Sequence, residues 1–196
     1  DGSYLEDQDF WRITGIERDV FLYALPTTTI WDFFLKADLD ENYTNGKFSG
    51  DITVRQFNSN TIKDADVLIE LQDKKGNTIF TEKKSVANAS NEYIKIPFSA
   101  NIVKPEKWSA ETPNLYRCVI TLQQKDGTTI VATSTKVGFR KVEIKNAQLI
   151  VNGKKIMVHG VNRHEHDERL GHVPTLALML KDIQLMKQYN INAVRT

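Results

Sequence analysis

Residues 159–172 read His-Gly-Val-Asn-Arg-His-Glu-His-Asp-Glu-Arg-Leu-Gly-His and gather all four histidines of the chain with three acids and two arginines. Imidazoles and carboxylates at this density can hold a metal ion, move protons or hydrogen-bond the hydroxyls of a polar ligand. The stretch follows an apolar, strand-like run, Ile156-Met157-Val158. Polar groups crowded at the C-terminal end of a strand are the sequence form of a (β/α)-barrel active-site rim. As a metal site, His164 and His166 at i and i+2 would share one side of an extended segment, unlike the helical His-Glu-x-x-His of metalloproteases. A hydrogen-bonded loop that caps a barrel is a second reading. A rim that binds a sugar through its hydroxyls is the third, and it suits this mixture of groups best.

The elements around the stretch are legible. Val173-Pro174-Thr175 opens a helix to about Tyr189, with Leu176, Met179, Leu180, Ile183 and Met186 recurring along one face and Asn190 as the stop. Ile191 to Arg195 reads as a strand. Before the stretch, Gln148 to Val158 reads as a hairpin with Asn152-Gly153 at its turn. Strand, polar loop, helix and strand make one βαβ unit of a parallel sheet or barrel. Only 56 residues follow position 140, whereas a complete barrel needs about 250.

Residues 27–140 have a different texture. Ile30–Leu35 and Lys47–Phe57 are strand runs, the second with Phe48, Ile52, Val54 and Phe57 as its candidate inward set. Asp66–Leu71 leads through Lys74-Lys75-Gly76-Asn77 into Thr78–Phe80, Tyr93–Ile96 follows, and Leu115–Gln123 turns at Lys125-Asp126-Gly127 into Thr128–Phe139. About seven strands without a helical period predict an antiparallel β-sandwich of immunoglobulin type. Asp19–Leu25 reads as one more short strand, closed by Pro26. The lone Cys118 cannot form an internal disulfide and, in an alternating strand, reads as a small core residue. Trp108–Tyr116 reads as a Pro-containing turn wedged against the sandwich edge rather than a sugar-stacking loop. Glu6, Asp7 and Asp9 near Trp11 form an acidic cluster that suits a cation or a sugar hydroxyl as well as plain solvent.

With 26 basic and 25 acidic residues interspersed, the net charge is +1. Nothing there draws the chain to nucleic acid or an anionic membrane, and no apolar run is long enough to span a bilayer.

Several segments resemble glycoside hydrolase family 2 in the right order. Residues 1–12 with Gly15–Val20 resemble the end of that family's sugar-binding jelly-roll domain. Trp108–Tyr116 and Val137-Gly138-Phe139-Arg140 resemble the last loop and the exit of its immunoglobulin-like domain. Gly160–His166 resembles the first barrel strand and loop of its β-galactosidases, and Met186–Arg195 the lead into the second barrel strand. The Arg-His-Glu-His form of 163–166 is closer to the β-galactosidases than to the β-glucuronidase branch, which usually reads Lys-His-Glu-Asp.

The resemblance implies three pieces: a jelly-roll tail at 1–26, a sandwich at 27–140 and the start of a TIM-barrel catalytic domain at 141–196. It implies a retaining exo-β-galactosidase as the parent, acting on terminal β-D-galactosides, in the cytoplasm or periplasm of a bacterium. Both catalytic glutamates and the magnesium ligands of such enzymes fall after Thr196, so the chain itself is expected to carry no catalytic residue, no cofactor and no hydrolytic activity. His164 matches a histidine near the galactosyl subsite. Arg195 matches an arginine beside the nucleophile, and Asp9 matches an aspartate that reaches the sugar and in some members binds sodium. Unpaired barrel strands are expected to favour self-association. The alternative from another class is a non-catalytic carbohydrate-binding or structural sandwich. It would need a row of exposed aromatics within 27–140, which the sequence does not display.

Overall fold

The computed structural model describes residues 15–16, 18–57, 65–86 and 92–196. By packing, the chain divides into two compact units, Ala24–Met157 and a second made of Asp1–Tyr23 with Val158–Thr196.

Seven strands build the larger unit: β1 (Thr28–Leu39), β2 (Gly46–Gln56), β3 (Ala65–Gln72), β4 (Thr78–Val86), β5 (Tyr93–Ile102), β6 (Tyr116–Gln124) and β7 (Thr129–Val137). They form two antiparallel sheets, β1-β2-β5 and β4-β3-β6-β7. β5 returns to pair with β2 while β6 pairs with β3, so the connections are those of an immunoglobulin-like sandwich. Alternation does the work. Phe48, Ile52 and Val54 from one sheet meet Val67, Ile69, Leu71, Cys118, Ile120 and Leu122 from the other, all fully buried. Cys118 is thus the small core residue that its strand context predicts, and burial pushes its thiol up to about 12.

The turns follow the expected chemistry. The Asp73 carboxylate accepts from the Lys75 and Asn77 N–H groups, and Gly76 takes the left-handed φ of 85°. Asp126 accepts from the Thr128 N–H beside Gly127 at φ 91°. Tyr116, at the start of β6 and two residues before Cys118, accepts on its hydroxyl from the Glu106 N–H at 2.8 Å, the corner that ties such sandwiches together. Phe139 closes this end against Tyr116 and Phe48, with ring centroids 5.3 and 6.3 Å away. Chain and ring approach so closely that a Cβ on Gly46 would stand 2.6 Å from Phe139. The Trp108–Tyr116 segment is structural, as read. The Trp108 N–H donates to the Phe139 carbonyl, and Arg140 stacks 4.6 Å from the Trp108 ring.

A short meander follows in the same unit: β8 (Val142–Lys145), β9 (Gln148–Val151) and β10 (Lys154–Lys155). The sequence reading lacked β8. The Asn152-Gly153 turn is as expected, with φ of 50° and 80°. Asn152 also works outward, its Oδ1 accepting from the Lys141 N–H and its Nδ2 donating to the Trp108 carbonyl.

Four expectations need correction. Phe57 is not inward: it lies an odd number of residues from Phe48, Ile52 and Val54, so the pleat turns it out, and it is exposed. Asp19–Leu25 is not a strand, and Val20, Phe21, Leu22 and Tyr23 are exposed. Ile156-Met157-Val158 is not a strand either, since ladder pairing resumes only at Gly160. The sandwich does expose aromatics, Trp31, Phe34, Phe57 and Tyr93, all on strands or strand ends of the β1-β2-β5 sheet. A β-bulge between Ile30 and Asp32 shifts the register at Trp31, which hid this pattern from a reading by alternation. Among the described residues no helix is long and apolar enough to cross a membrane.

Tyr116→Phe leaves the Glu106 N–H without its acceptor and is expected to cost about 1–2 kcal/mol. Urea unfolding should show a lower midpoint at unchanged slope, and an unchanged midpoint would remove the corner from the account of stability.

Candidate functional site

The smaller unit contains the βαβ element: β11 (Gly160–Asn162), α1 (Leu176–Gln188) and β12 (Ala193–Arg195). The strands pair in parallel, Gly160 with Ala193, Val161 with Val194 and Asn162 with Arg195. The helix starts where Thr175 Oγ1 accepts from the Leu178 N–H at 3.2 Å. It stops where Asn190 takes φ 55° and the N–H groups of Asn190 and Ile191 donate back to Lys187 and Met186, the pattern of a Schellman cap. No residue of α1 is buried. The predicted apolar stripe divides: Met179 and Met186 are half-buried, whereas Leu176, Leu180 and Ile183 are exposed.

Asp182 stands between Met179 and Met186 on the half-covered stripe. Its Oδ2 accepts from Arg163 Nε at 2.8 Å, and the two side chains are only 30% and 12% exposed. Sequence reasoning missed Asp182, although a charge at a position of the stripe that calls for an apolar residue was its signal. This pair turns Arg163, and by alternation Val161, toward the helix. Asn162 and its register partner Arg195 therefore lie on the opposite face of the strand pair. The Arg163 N–H donates to the Arg195 carbonyl at 2.8 Å, so His164 leaves the ladder just beyond Arg195. Two of the three predicted site residues thus occupy the C-terminal edge of adjacent parallel strands, where barrel and open-sheet sites are built. Asn162 joins them as a candidate that the sequence reading had not singled out. Asp9, for which the family resemblance implies a sodium role, lies outside the described residues.

The acids of the loop are committed. The Asp167 carboxylate accepts from the Arg169 and Leu170 N–H groups at 2.8 and 3.0 Å, and its backbone exchanges two hydrogen bonds with Gly171. Those amides hold its pKa below the usual aspartate value. Glu165 Oε2 pairs with Arg18 at 2.8 Å, and the highly exposed Glu168 stands 3.7 Å from Arg169. The metal reading of His164 and His166 assumed an extended segment. Instead the His166 N–H donates to the His164 carbonyl at 3.0 Å, a three-residue turn that removes the shared side. Among the described residues no group of three or more His, Cys, Asp or Glu gathers to hold a metal.

Two outcomes follow from this geometry. Asp182→Ala leaves Arg163 charged and mostly covered, and should cost about 1–3 kcal/mol, seen as faster amide exchange through 160–195. Glu168→Ala should change nothing there, and equal effects would refute the special place of Asp182. A carboxyl titration should place Asp167 below 3.8. Its depressed pKa stabilises the loop above the unfolded value, and that contribution is lost as pH falls through the folded one. A titration at or above 3.8 would contradict the assignment.

The family described as "Glycosyl hydrolases family 2" matches residues 28–140, and "Glycosyl hydrolases family 2, TIM barrel domain" matches residues 142–196. A beta-galactosidase of Priestia megaterium is 42% identical over 197 residues, covering 100% of this chain. One of Vibrio cholerae is 44% identical over 202 residues, again covering 100%. The chain spans 19% of the length of each of these curated relatives. Among solved structures, a Bacteroides uniformis beta-glucuronidase superposes with a TM-score of 0.85 at 24% identity, over 97% of this chain and 24% of its own. That likeness speaks to the fold alone. With one family matched along the sandwich and again along the βαβ unit, this chain belongs to glycosyl hydrolase family 2.

Proposed function

We propose that this chain forms part of a retaining exo-β-galactosidase that hydrolyses terminal β-D-galactosides. The observation that carries the reading is identity of 42–44% along the whole chain to proteins named beta-galactosidase. His164, just beyond β11, and Asp9 contact the galactosyl group, and Arg195, at the end of β12, supports the nucleophile. The β-galactoside is the partner, and sodium at Asp9 with magnesium held by residues outside this chain belongs to the same reading.

In a retaining mechanism two carboxyls about 5–5.5 Å apart act as nucleophile and as acid/base around an oxocarbenium-like transition state. The described loop acids fit neither role, being held by Arg18, by loop amides or at the solvent surface. Arg195 acts on the nucleophile instead. A guanidinium beside a carboxylate favours its charged form, which keeps the nucleophile ready at neutral pH. His164 hydrogen-bonds a sugar hydroxyl. Asp182 is a positioning residue, since it acts through Arg163 on the start of the loop.

The test uses two proteins. The 196-residue chain should release no nitrophenol from a nitrophenyl β-D-galactoside. The full-length gene product should turn this substrate over and prefer it to the β-D-glucuronide. Arg195→Ala or His164→Ala in that protein should lower kcat/KM on the order of 10²-fold. Preference for the glucuronide, or wild-type rates in both variants, would overturn the proposal.

A further inference from the structure

The outward face of the β1-β2-β5 sheet carries a cluster that takes no part in the barrel-rim chemistry. At its centre is Arg55, whose guanidinium carbon lies 4.2 Å from the Trp31 ring centroid, 4.1 Å from Phe57 and 5.1 Å from Tyr93. Trp31 stands steeply to both other rings, at 77° to Phe57 and 67° to Tyr93. The rings therefore make a walled corner rather than a flat row. Each gives one face to the cation, yet Trp31, Phe57 and Tyr93 remain 46%, 45% and 45% exposed.

Polar groups complete the cluster. Arg55 Nε and Nη2 both donate to Glu92 Oε1, at 2.9 and 2.7 Å. Among the described residues, Arg55 Nη1 and Glu92 Oε2 make no hydrogen bond. Thr29, the register partner of Arg55 and so on the same face, is fully buried, and its Oγ1 has no hydrogen-bond partner among the described residues. Buried hydroxyls are normally satisfied.

We propose that this corner is a secondary sugar-binding site on the sandwich, taking a single terminal pyranose. One face of a pyranose is a patch of C–H groups, which packs on the electron-rich face of an indole. Its rim is a ring of hydroxyls, which need both donors and acceptors. Trp31 supplies the stacking face, Glu92 Oε2 an acceptor and Arg55 Nη1 a donor. The guanidinium is already held by three rings and a carboxylate, so little side-chain freedom remains to be lost on binding. Rings at 67° and 77° to Trp31 offer no flat platform for a long polymer, which favours a single residue at a chain end. The choice of a sugar as ligand rests on the glycosidase reading, but the site shares no residue with the subsite of His164 and Arg195.

The experiment is an NMR titration of the 196-residue chain with methyl β-D-galactoside and methyl β-D-glucoside, to about 100 mM, enough to fill a site with millimolar Kd. Saturable shifts are expected at the Trp31 indole N–H, the Arg55 Nε–H and the Tyr93 amide. Trp31→Ala should weaken binding roughly tenfold or more, and Glu92→Gln should weaken it without disturbing the remaining spectrum. His164→Ala should leave these shifts in place. No shift at the cluster, or saturation unchanged in both Trp31→Ala and Glu92→Gln, would overturn the proposal. If Trp31→Ala fails to fold, Trp31→Phe replaces it, and wild-type binding in both Trp31→Phe and Glu92→Gln overturns the site. Loss of galactoside turnover as the function of the full-length enzyme, with these shifts intact, would remove the catalytic reading and leave the sugar site standing.

Discussion

Asn192 holds the register of the parallel pair: its Oδ1 accepts from the His159 N–H at 2.8 Å, and its own N–H donates to the His159 carbonyl at 3.0 Å. β11 and β12 are three residues each, so this side-chain clamp is a large share of what fixes them. Side chains alternate strictly along a strand, and a slip of one residue exchanges the faces. Arg195 would then turn toward α1 and leave the face it shares with Asn162. The pairing of Asn162 with Arg195, and the placing of His164 just beyond, thus depends on the residue immediately before the second strand, together with the Arg163 N–H bond to the Arg195 carbonyl.

The two units keep their shape by different means. In the sandwich, side chains such as Phe48, Ile69 and Leu122 are removed from water altogether, each contributing about 1.5–3 kcal/mol. The helix α1 buries no residue, and Leu176, Leu180 and Ile183 lie open. The βαβ element is held by its ladder, its two helix caps, the Asn192 clamp and the Arg163–Asp182 pair. Hydrogen bonds of this kind contribute about 1 kcal/mol each. Elements with few buried apolar contacts open at lower free energy than the core. Among the described residues the sandwich is the more rigid part, and the edge that carries the candidate site opens more easily.

Much of the fold was legible because period and turn chemistry agree. Even-numbered Phe48, Ile52 and Val54 announce the inner face of β2, Gly127 and the Asn152-Gly153 pair take the left-handed conformations their turns need, and Thr175 and Asn190 cap α1 as written. The misreadings have physical causes. Phe57 was placed by hydrophobicity against its own parity. Trp31 sits at a bulge, where alternation loses its phase. Asn146 and Ala147, both at positive φ, make the tight turn from β8 to β9 without a Gly to mark it. At the site, His164 and Arg195 were found through family resemblance, and the strand register gives them a common edge. Asp182 was visible only as a charge out of place, and its partner Arg163 could not be named without the fold.

Charge pairing in 163–172 also decides what this loop can do. A general acid must hold its proton near neutral pH, which needs a raised carboxyl pKa. Asp167 is pushed the other way, because the Arg169 and Leu170 N–H groups stabilise its ionised form. Glu165 is paired with the Arg18 guanidinium, and outside the loop Asp182 is paired with that of Arg163. Two loop acids that looked catalytic by composition are thus committed to other partners in the structure, Asp167 to backbone N–H groups and Glu165 to a basic side chain. On the proposed function, the work left to this edge is recognition by His164 and electrostatic support by Arg195. Within the proposed function, a dense cluster of titratable residues here frames the sugar subsite rather than supplying its acid and base.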